Sequence, residues 1–201
     1  MMSLKVMIVE GDDEFSFFKT FCQKKKIPEF ECLQVGGKTE IKSTLRLIKN
    51  RRDFDEIEAI VIIQDADASH QATIQSLQAT LKNLDLPVPD DHLQFAEENG
   101  LKVGFYVMPG DGSAGMLEDL LLQSVEDNPV KLEAEKYIEQ LLQLAHDETI
   151  VAPRNLPKAR LHAYLSGLER HKKNIGLATK ASCFNLDSHH LKPLSDFLSD
   201  T

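Results

Sequence analysis

The sequence has no apolar run long enough to cross a bilayer. Its longest, Ala59-Ile60-Val61-Ile62-Ile63, has the length of a β-strand and falls far short of the ~20 residues a membrane helix needs. No hydrophobic signal region precedes the acidic stretch that begins at Glu10, so a cytoplasmic protein without membrane association is expected. Cysteine is sparse. Cys22, Cys32 and Cys183 form an odd, scattered set without CxxC spacing, which argues against a disulfide framework and leaves reduced thiols as the expectation. Internal repeats and low-complexity linkers are also missing, which removes solenoid and linker architectures. A net positive charge is missing too: the formal charge is −9, unlike that of a protein that coats nucleic acid non-specifically.

What is present is an ordinary globular balance. Hydrophobic residues make up 42% and charged residues 27% of 201 residues, enough to bury the core of one large domain. The charge is unevenly placed. Between Val151 and Leu186 stand seven basic residues (Arg154, Lys158, Arg160, Arg170, Lys172, Lys173 and Lys180) and one acid, Glu169. That segment is +6, so the remainder carries −15. An acidic body with a basic C-terminal part suits a metal-dependent enzyme acting on phosphates. It equally suits a helix with a solvated basic face.

Apolar patterning sets the order of elements. Leu4 to Val9 reads as a buried strand stopped at Gly11, and Phe15, Phe17, Phe18 and Phe21 follow at near-helical spacing up to the lysines before Pro28. Phe30 to Val35 reads as a second strand, and a helix beginning near Thr39 carries Ile41, Leu45 and Ile48 on one face. Ile57 to Ile63 is an unbroken β-branched strand of the kind covered on both faces in a parallel sheet. Ile74, Leu77, Leu81 and Leu84 mark a further helix. Leu101 to Val107 is a fourth strand, with a shorter one suggested near Leu93 to Phe95. Beyond Pro109 the segments Met116–Val125, Val130–Ala145, Pro157–Leu168 and Leu191–Leu198 all read as helical. This order predicts an α/β fold, a mostly parallel sheet of about four strands with helices on both faces. Residues 1–125 are expected to form the α/β part and residues 126–201 a helical C-terminal extension packed on it, the two making one structural unit.

In open parallel sheets, ligands bind beyond the carboxyl ends of the strands. Acids directly after a strand are therefore the candidates: Glu10, Asp12, Asp13 and Glu14 after the first, and Asp65 and Asp67 after the third. If the chain stays extended through Asp65-Ala66-Asp67, the two carboxylates point to one side. Clustered carboxylates repel unless protons or a cation intervene, and hard oxygen ligands favour Mg²⁺ or Mn²⁺ over zinc. The alternative for each motif is helix N-capping, because Asp12, Asp65 and Asp67 all stand just before helices.

Val9-Glu10-Gly11-Asp12-Asp13, followed later by Ile63-Gln64-Asp65-Ala66-Asp67, resembles the Toprim signature. That domain is shared by topoisomerases, bacterial primases and the overcoming-lysogenization-defect nucleases. The resemblance implies a Toprim-like sheet. It also implies that Glu10 acts as general acid/base or metal ligand, and that Asp65 and Asp67 hold a divalent metal. Met108-Pro109-Gly110 and Gly115-Met116-Leu117-Glu118-Asp119, with the C-terminal helices, are similar to a bacterial Toprim-like family of undetermined function (domain of unknown function 3226). By the likeness to the nucleases, Glu118 joins the metal ligands and Lys158 stabilises phosphate charge. A helix-dipole role for Glu118 and Asp119, and a solvated Lys158, are the alternatives. No zinc-ribbon or DNA-gate region accompanies the motifs, which argues against a topoisomerase or complete primase.

Three other patterns compete. Lys5 to Asp13 looks like the start of a response-regulator receiver domain, but no lysine occupies the loop Met108 to Gly115 where such a domain needs one. Gly110-Asp111-Gly112-Ser113-Ala114-Gly115 matches GxGxxG, yet it follows the fourth strand rather than the first, so a turn with positive φ is expected. His162, His171, His189 and His190 lack nearby cysteine or paired carboxylate partners in sequence and are expected at the surface. The leading expectation is a Mg²⁺- or Mn²⁺-dependent, nuclease-like protein acting on phosphodiester bonds of DNA or RNA, with the basic segment as the contact surface. The alternative is a non-catalytic metal- or partner-binding regulatory module.

Overall fold

The computed structural model describes residues 4–170 and 172–201; His171 lies outside them. Five strands form one sheet in the order β2-β1-β3-β5-β4. These are β1 (Leu4–Val9), β2 (Glu31–Gln34), β3 (Ile57–Asp65), β4 (Phe95–Glu98) and β5 (Leu101–Met108). All pairings are parallel except β4 with β5, which are antiparallel. The sheet thus has one strand more than the four apolar runs suggest. The extra strand, β4, begins where the sequence hinted at Leu93–Phe95, and its residues are only half-buried or exposed. An edge strand buries too little to leave a strong apolar signature.

The central strand shows how the core is built. Alternate side chains of β3 point to opposite faces. Val61 and Ile63 enter one apolar cluster and Ile60 and Ile62 the other. On the second face lie α2 (Ile41–Lys49), through Ile41, Leu45 and Ile48, and α3 (His70–Asn83), through Ile74, Leu77 and Leu81. The first face is covered by α1 (Asp12–Lys25), through Phe17, Phe18 and Phe21, and by α4 (Leu117–Gln123). The remaining helices, α5 (Pro129–His146), α6 (Leu156–Ser166), α7 (Ile175–Lys180) and α8 (Lys192–Ser199), send Ile138, Leu161, Tyr164, Ile175, Leu194 and Phe197 into that same cluster. One helix, α7, has no counterpart in the sequence reading. Its six residues are too few for an apolar period, and it exists by packing on α1, where a β-carbon on Gly176 would lie 2.6 Å from the Ser16 β-carbon.

Among the described residues no helix is long and apolar enough to cross a membrane. Cys22, Cys32 and Cys183 are free thiols, each half-buried.

Candidate functional site

Neighbouring parallel strands end side by side, and this brings the first two acids together. Val9 closes β1, and Asp65 is the last residue of β3, its partner in the sheet. Glu10 Oε1 accepts the Asp65 backbone N–H at 3.2 Å, so both residues occupy the same carboxyl edge. From the far side, the Leu117 N–H at the start of α4 donates to Asp65 Oδ1 at 3.0 Å.

The extended run expected through Asp65-Ala66-Asp67 does not occur. The strand stops at Asp65, and Asp67 adopts left-handed backbone with φ 51°. Its N–H and C=O both pair with Gly115, at 2.9 and 3.0 Å, which ties this turn to the glycine loop before α4. Asp tolerates the left-handed region better than most residues, and the two backbone bonds offset the cost. The Asp67 carboxylate is exposed and meets Lys38 Nζ at 2.6 Å. Lys38 stands just after the Gly36-Gly37 turn that follows β2, at the same sheet edge. The rule that selected the acids would have selected it as well, had it been applied to cations.

Capping does not account for Asp12 or Asp67. The cap of α3 is Ser69, whose Oγ accepts from the Ala72 N–H at 3.3 Å, and Asp12 is already the first residue of α1, after Gly11. Asp65 does receive a helix-terminal N–H, from α4 rather than the helix that follows it in sequence. Asp119 is a cap-type acid: its Oδ2 accepts the Met116 N–H at 2.9 Å, turning back on its own helix start. Glu118, its neighbour, has a different partner. Only 3% exposed, it has an Oε1 3.6 Å from Nζ of Lys158 on α6. Arg160 acts on Asp119 from the same helix, while Arg154 is exposed.

The acids act on one another. Burial first, then the charges of Glu14, Glu10 and Glu118, push the Asp65 carboxyl up to about 8, against the opposing Leu117 N–H. Glu10 is also raised, by burial and then by Asp67 and Glu14, against the Asp65 N–H and Lys38. Burial raises Glu118 too, while Lys158 opposes the rise. Glu14, in the first turn of α1, contributes to all three and so faces the group. The result is an acidic ring from β1, β3, α1 and α4, with Lys38 and Lys158 at its sides. It is looser than a closed metal cage. Among the described residues, no three of these acids bring carboxylate oxygens within 4.8 Å of one another.

The glycine loop is a turn. Gly110 (φ 103°) passes so close to Tyr106 that a β-carbon would lie 2.1 Å from the Tyr106 hydroxyl, which donates to the Pro109 carbonyl at 2.7 Å. Beside the loop, His70 and His92 stand edge to face with centroids 4.5 Å apart, and neither His70 Nε2 nor His92 Nδ1 has a hydrogen-bond partner. Burial and then His70 lower the His92 pKa. His162 is exposed, and His189 and His190 lie against Glu126, a partner that sequence proximity did not offer.

No curated protein matches the chain. Two structures of the C-terminal region of the Xanthomonas campestris pv. campestris OLD protein, phased with platinum and with iodine, are similar to it at 19% and 18% identity. They cover 98% of this chain and 93% and 94% of theirs, with TM-scores of 0.47 and 0.48. A family model matches residues 4–201, and the chain accordingly belongs to the family described as Protein of unknown function (DUF3226).

Proposed function

We propose that this protein is a Toprim-like, Mg²⁺- or Mn²⁺-dependent phosphodiester-processing protein that acts on nucleic acid. The observation that carries the reading is the meeting of Glu10, Asp65 and Glu118, from three separate elements, at one carboxyl sheet edge with Lys38 and Lys158 beside them. The donor set fits a hard cation, since every candidate ligand is a carboxylate oxygen. Its looseness also fits, because Mg²⁺ keeps several waters and commonly takes only one or two carboxylates from a protein.

Asp65 and Asp67 are the principal ligands, with Glu10 and Glu118 direct or through water. Lys38 must leave Asp67 for this. Both side chains are about half exposed, 55% and 41%, so the ion pair given up is worth at most about 1 kcal/mol. A bound Mg²⁺ supplies polarisation of the phosphate. Glu10, whose carboxyl burial and its acidic neighbours push above the usual range, is placed to move a proton. Lys158, released from Glu118, neutralises phosphate charge, and the basic segment from Arg154 to Lys180 extends the contact along DNA or RNA.

A second reading has its own support. Without metal, the lysines already neutralise Asp67 and partly Glu118, as in a module that binds metal or a partner without cleaving. Calorimetric titration of Mn²⁺ into wild type and Asp65→Asn/Asp67→Asn, beside a Mg²⁺-dependent cleavage assay on single- and double-stranded DNA and RNA, separates the cases. The double variant should lose at least about tenfold in affinity, about 1.4 kcal/mol, and all cleavage. Metal binding lost without any wild-type cleavage selects the regulatory module. Equal affinity in both proteins makes Asp65 a cap of α4 and overturns the metal reading.

A further inference from the structure

Two of the histidines that sequence assigns to the surface, His189 and His190, have a partner. Glu126 stands between α4 and α5, and His189 and His190 just before α8, more than sixty residues away. One ligand atom from each of the three lies within 4.8 Å of the others; among the described residues no other histidine, cysteine or acid group meets that condition. His190 Nε2 is 3.2 Å from Glu126 Oε2, and His189 Nδ1 is 4.0 Å from Glu126 Oε1. Ligand atoms at about 2.1 Å around a tetrahedral Zn²⁺ are about 3.4 Å apart, so the first distance already fits, while His189, now nearer the other carboxylate oxygen, must turn to share one oxygen with His190.

The backbone on both sides is set. Val125 and Glu126 donate back to Leu122 and Gln123, and Asn128 to Val125. Leu191 and Lys192 both donate to the Ser188 carbonyl. Ser188 lines the same cleft as Glu126 and His189; its Oγ is buried there without a hydrogen-bond partner. The Glu126 carboxylate has no lysine or arginine in ion-pair contact among the described residues; its partners are the two imidazoles. Imidazole nitrogens with one carboxylate select zinc-like transition metals, unlike the all-oxygen set at the sheet edge.

We infer that Glu126, His189 and His190 form a transition-metal site of the Zn²⁺ class. Three protein ligands leave a fourth position open to water or an outside ligand. The metal cross-links the α4–α5 connection to the entry of α8, and so holds α8 on the sheet.

The test uses tag-free full-length protein, titrated with Zn²⁺ and with Co²⁺ as a coloured probe. Wild type should bind one Co²⁺ with tetrahedral or five-coordinate visible bands, and Zn²⁺ should displace it. Glu126→Gln and His190→Ala should each weaken binding at least about tenfold and abolish the Zn²⁺-induced rise in melting temperature. Asp65→Asn/Asp67→Asn should leave the Co²⁺ spectrum unchanged, which keeps this site distinct from the sheet-edge acids whatever their role. Wild-type Co²⁺ binding that survives both His190→Ala and Glu126→Gln, or that disappears in the aspartate double variant, overturns the site. So does the absence of any bound Co²⁺ or Zn²⁺ in wild type, which would leave Glu126 and His190 a simple hydrogen-bonded pair.

Discussion

Asp65 carries opposite demands. It accepts an N–H from Leu117, which favours its charged form, while burial and three neighbouring carboxylates favour the neutral form and win, leaving it near 8. The folded protein therefore holds a proton there that the unfolded chain releases. Between pH 3.8 and about 8 the contribution of Asp65 to the stability of the metal-free protein should fall as pH rises, because this carboxyl binds more proton in the folded state throughout that window. Asp65→Asn keeps an oxygen for Leu117 and removes the charge. At pH 8 it should stabilise the metal-free protein by about 1–2 kcal/mol, or about 2–8 °C in melting temperature, and flatten the pH dependence. Asp65→Ala loses the acceptor as well and should gain less. Thermal melts of the three proteins in chelator at pH 5 and pH 8 check this. An Asn variant that melts earlier than wild type at pH 8 would mean that the ionised carboxylate, and not its repulsion, dominates.

At the scale of elements, the edge strand β4 depends on what covers it. Phe95 is paired with Gly104 of β5 in the register, and its ring stacks on Phe197 of α8 with centroids 4.5 Å apart. The rings lie where a side chain on residue 104 would be: a β-carbon there would stand 2.6 Å from the Phe95 ring and 2.9 Å from Phe197. In an open strand Gly→Ala gains backbone entropy. Here overpacking should outweigh it, and Gly104→Ala should cost about 1–3 kcal/mol in urea unfolding with an unchanged slope. A midpoint at or above that of wild type would show that the two rings can move apart and that β4 is held by its backbone bonds alone.

Across the whole molecule, the helices after Glu126 share an apolar cluster with one face of the sheet. Val61 and Ile63 of β3 belong to the same cluster as Leu161 of α6 and Phe197 of α8. We expect the sheet and the C-terminal helices to open together. In native-state hydrogen exchange the slowest amides of β3 and α6 should report one opening free energy. Leu161→Ala should lower both by the same amount, about 2–5 kcal/mol. A drop confined to α6 would make residues 1–125 and 126–201 separate folding units.

The amino-acid sequence by itself determined the fold class and the edge at which to look. Strand and helix periods are local: Ile57 to Ile63 reads as a two-faced central strand from its own residues, and the acid that ends it, Asp65, lies at the carboxyl edge of any parallel arrangement. Pattern of this kind also located Glu10 next to an apolar run, whereas Glu118 came from the likeness to the nuclease family. Tertiary structure decided which charges meet, because those partners are far apart in the chain and nothing local selects them. Lys38 reaches Asp67 only from the Gly-Gly turn after β2, two places along the sheet from β3, and the Asp65 carboxylate finds its N–H at the start of α4. The αL turn at Asp67, which breaks the extended geometry its sequence suggested, exists because Gly115 pairs with both of its backbone groups. Likewise His189 and His190 lie at the surface as their sequence suggests, but only the folded chain brings Glu126 beside them, because which side chains meet is a property of positions in space and not of spacing along a strand or helix.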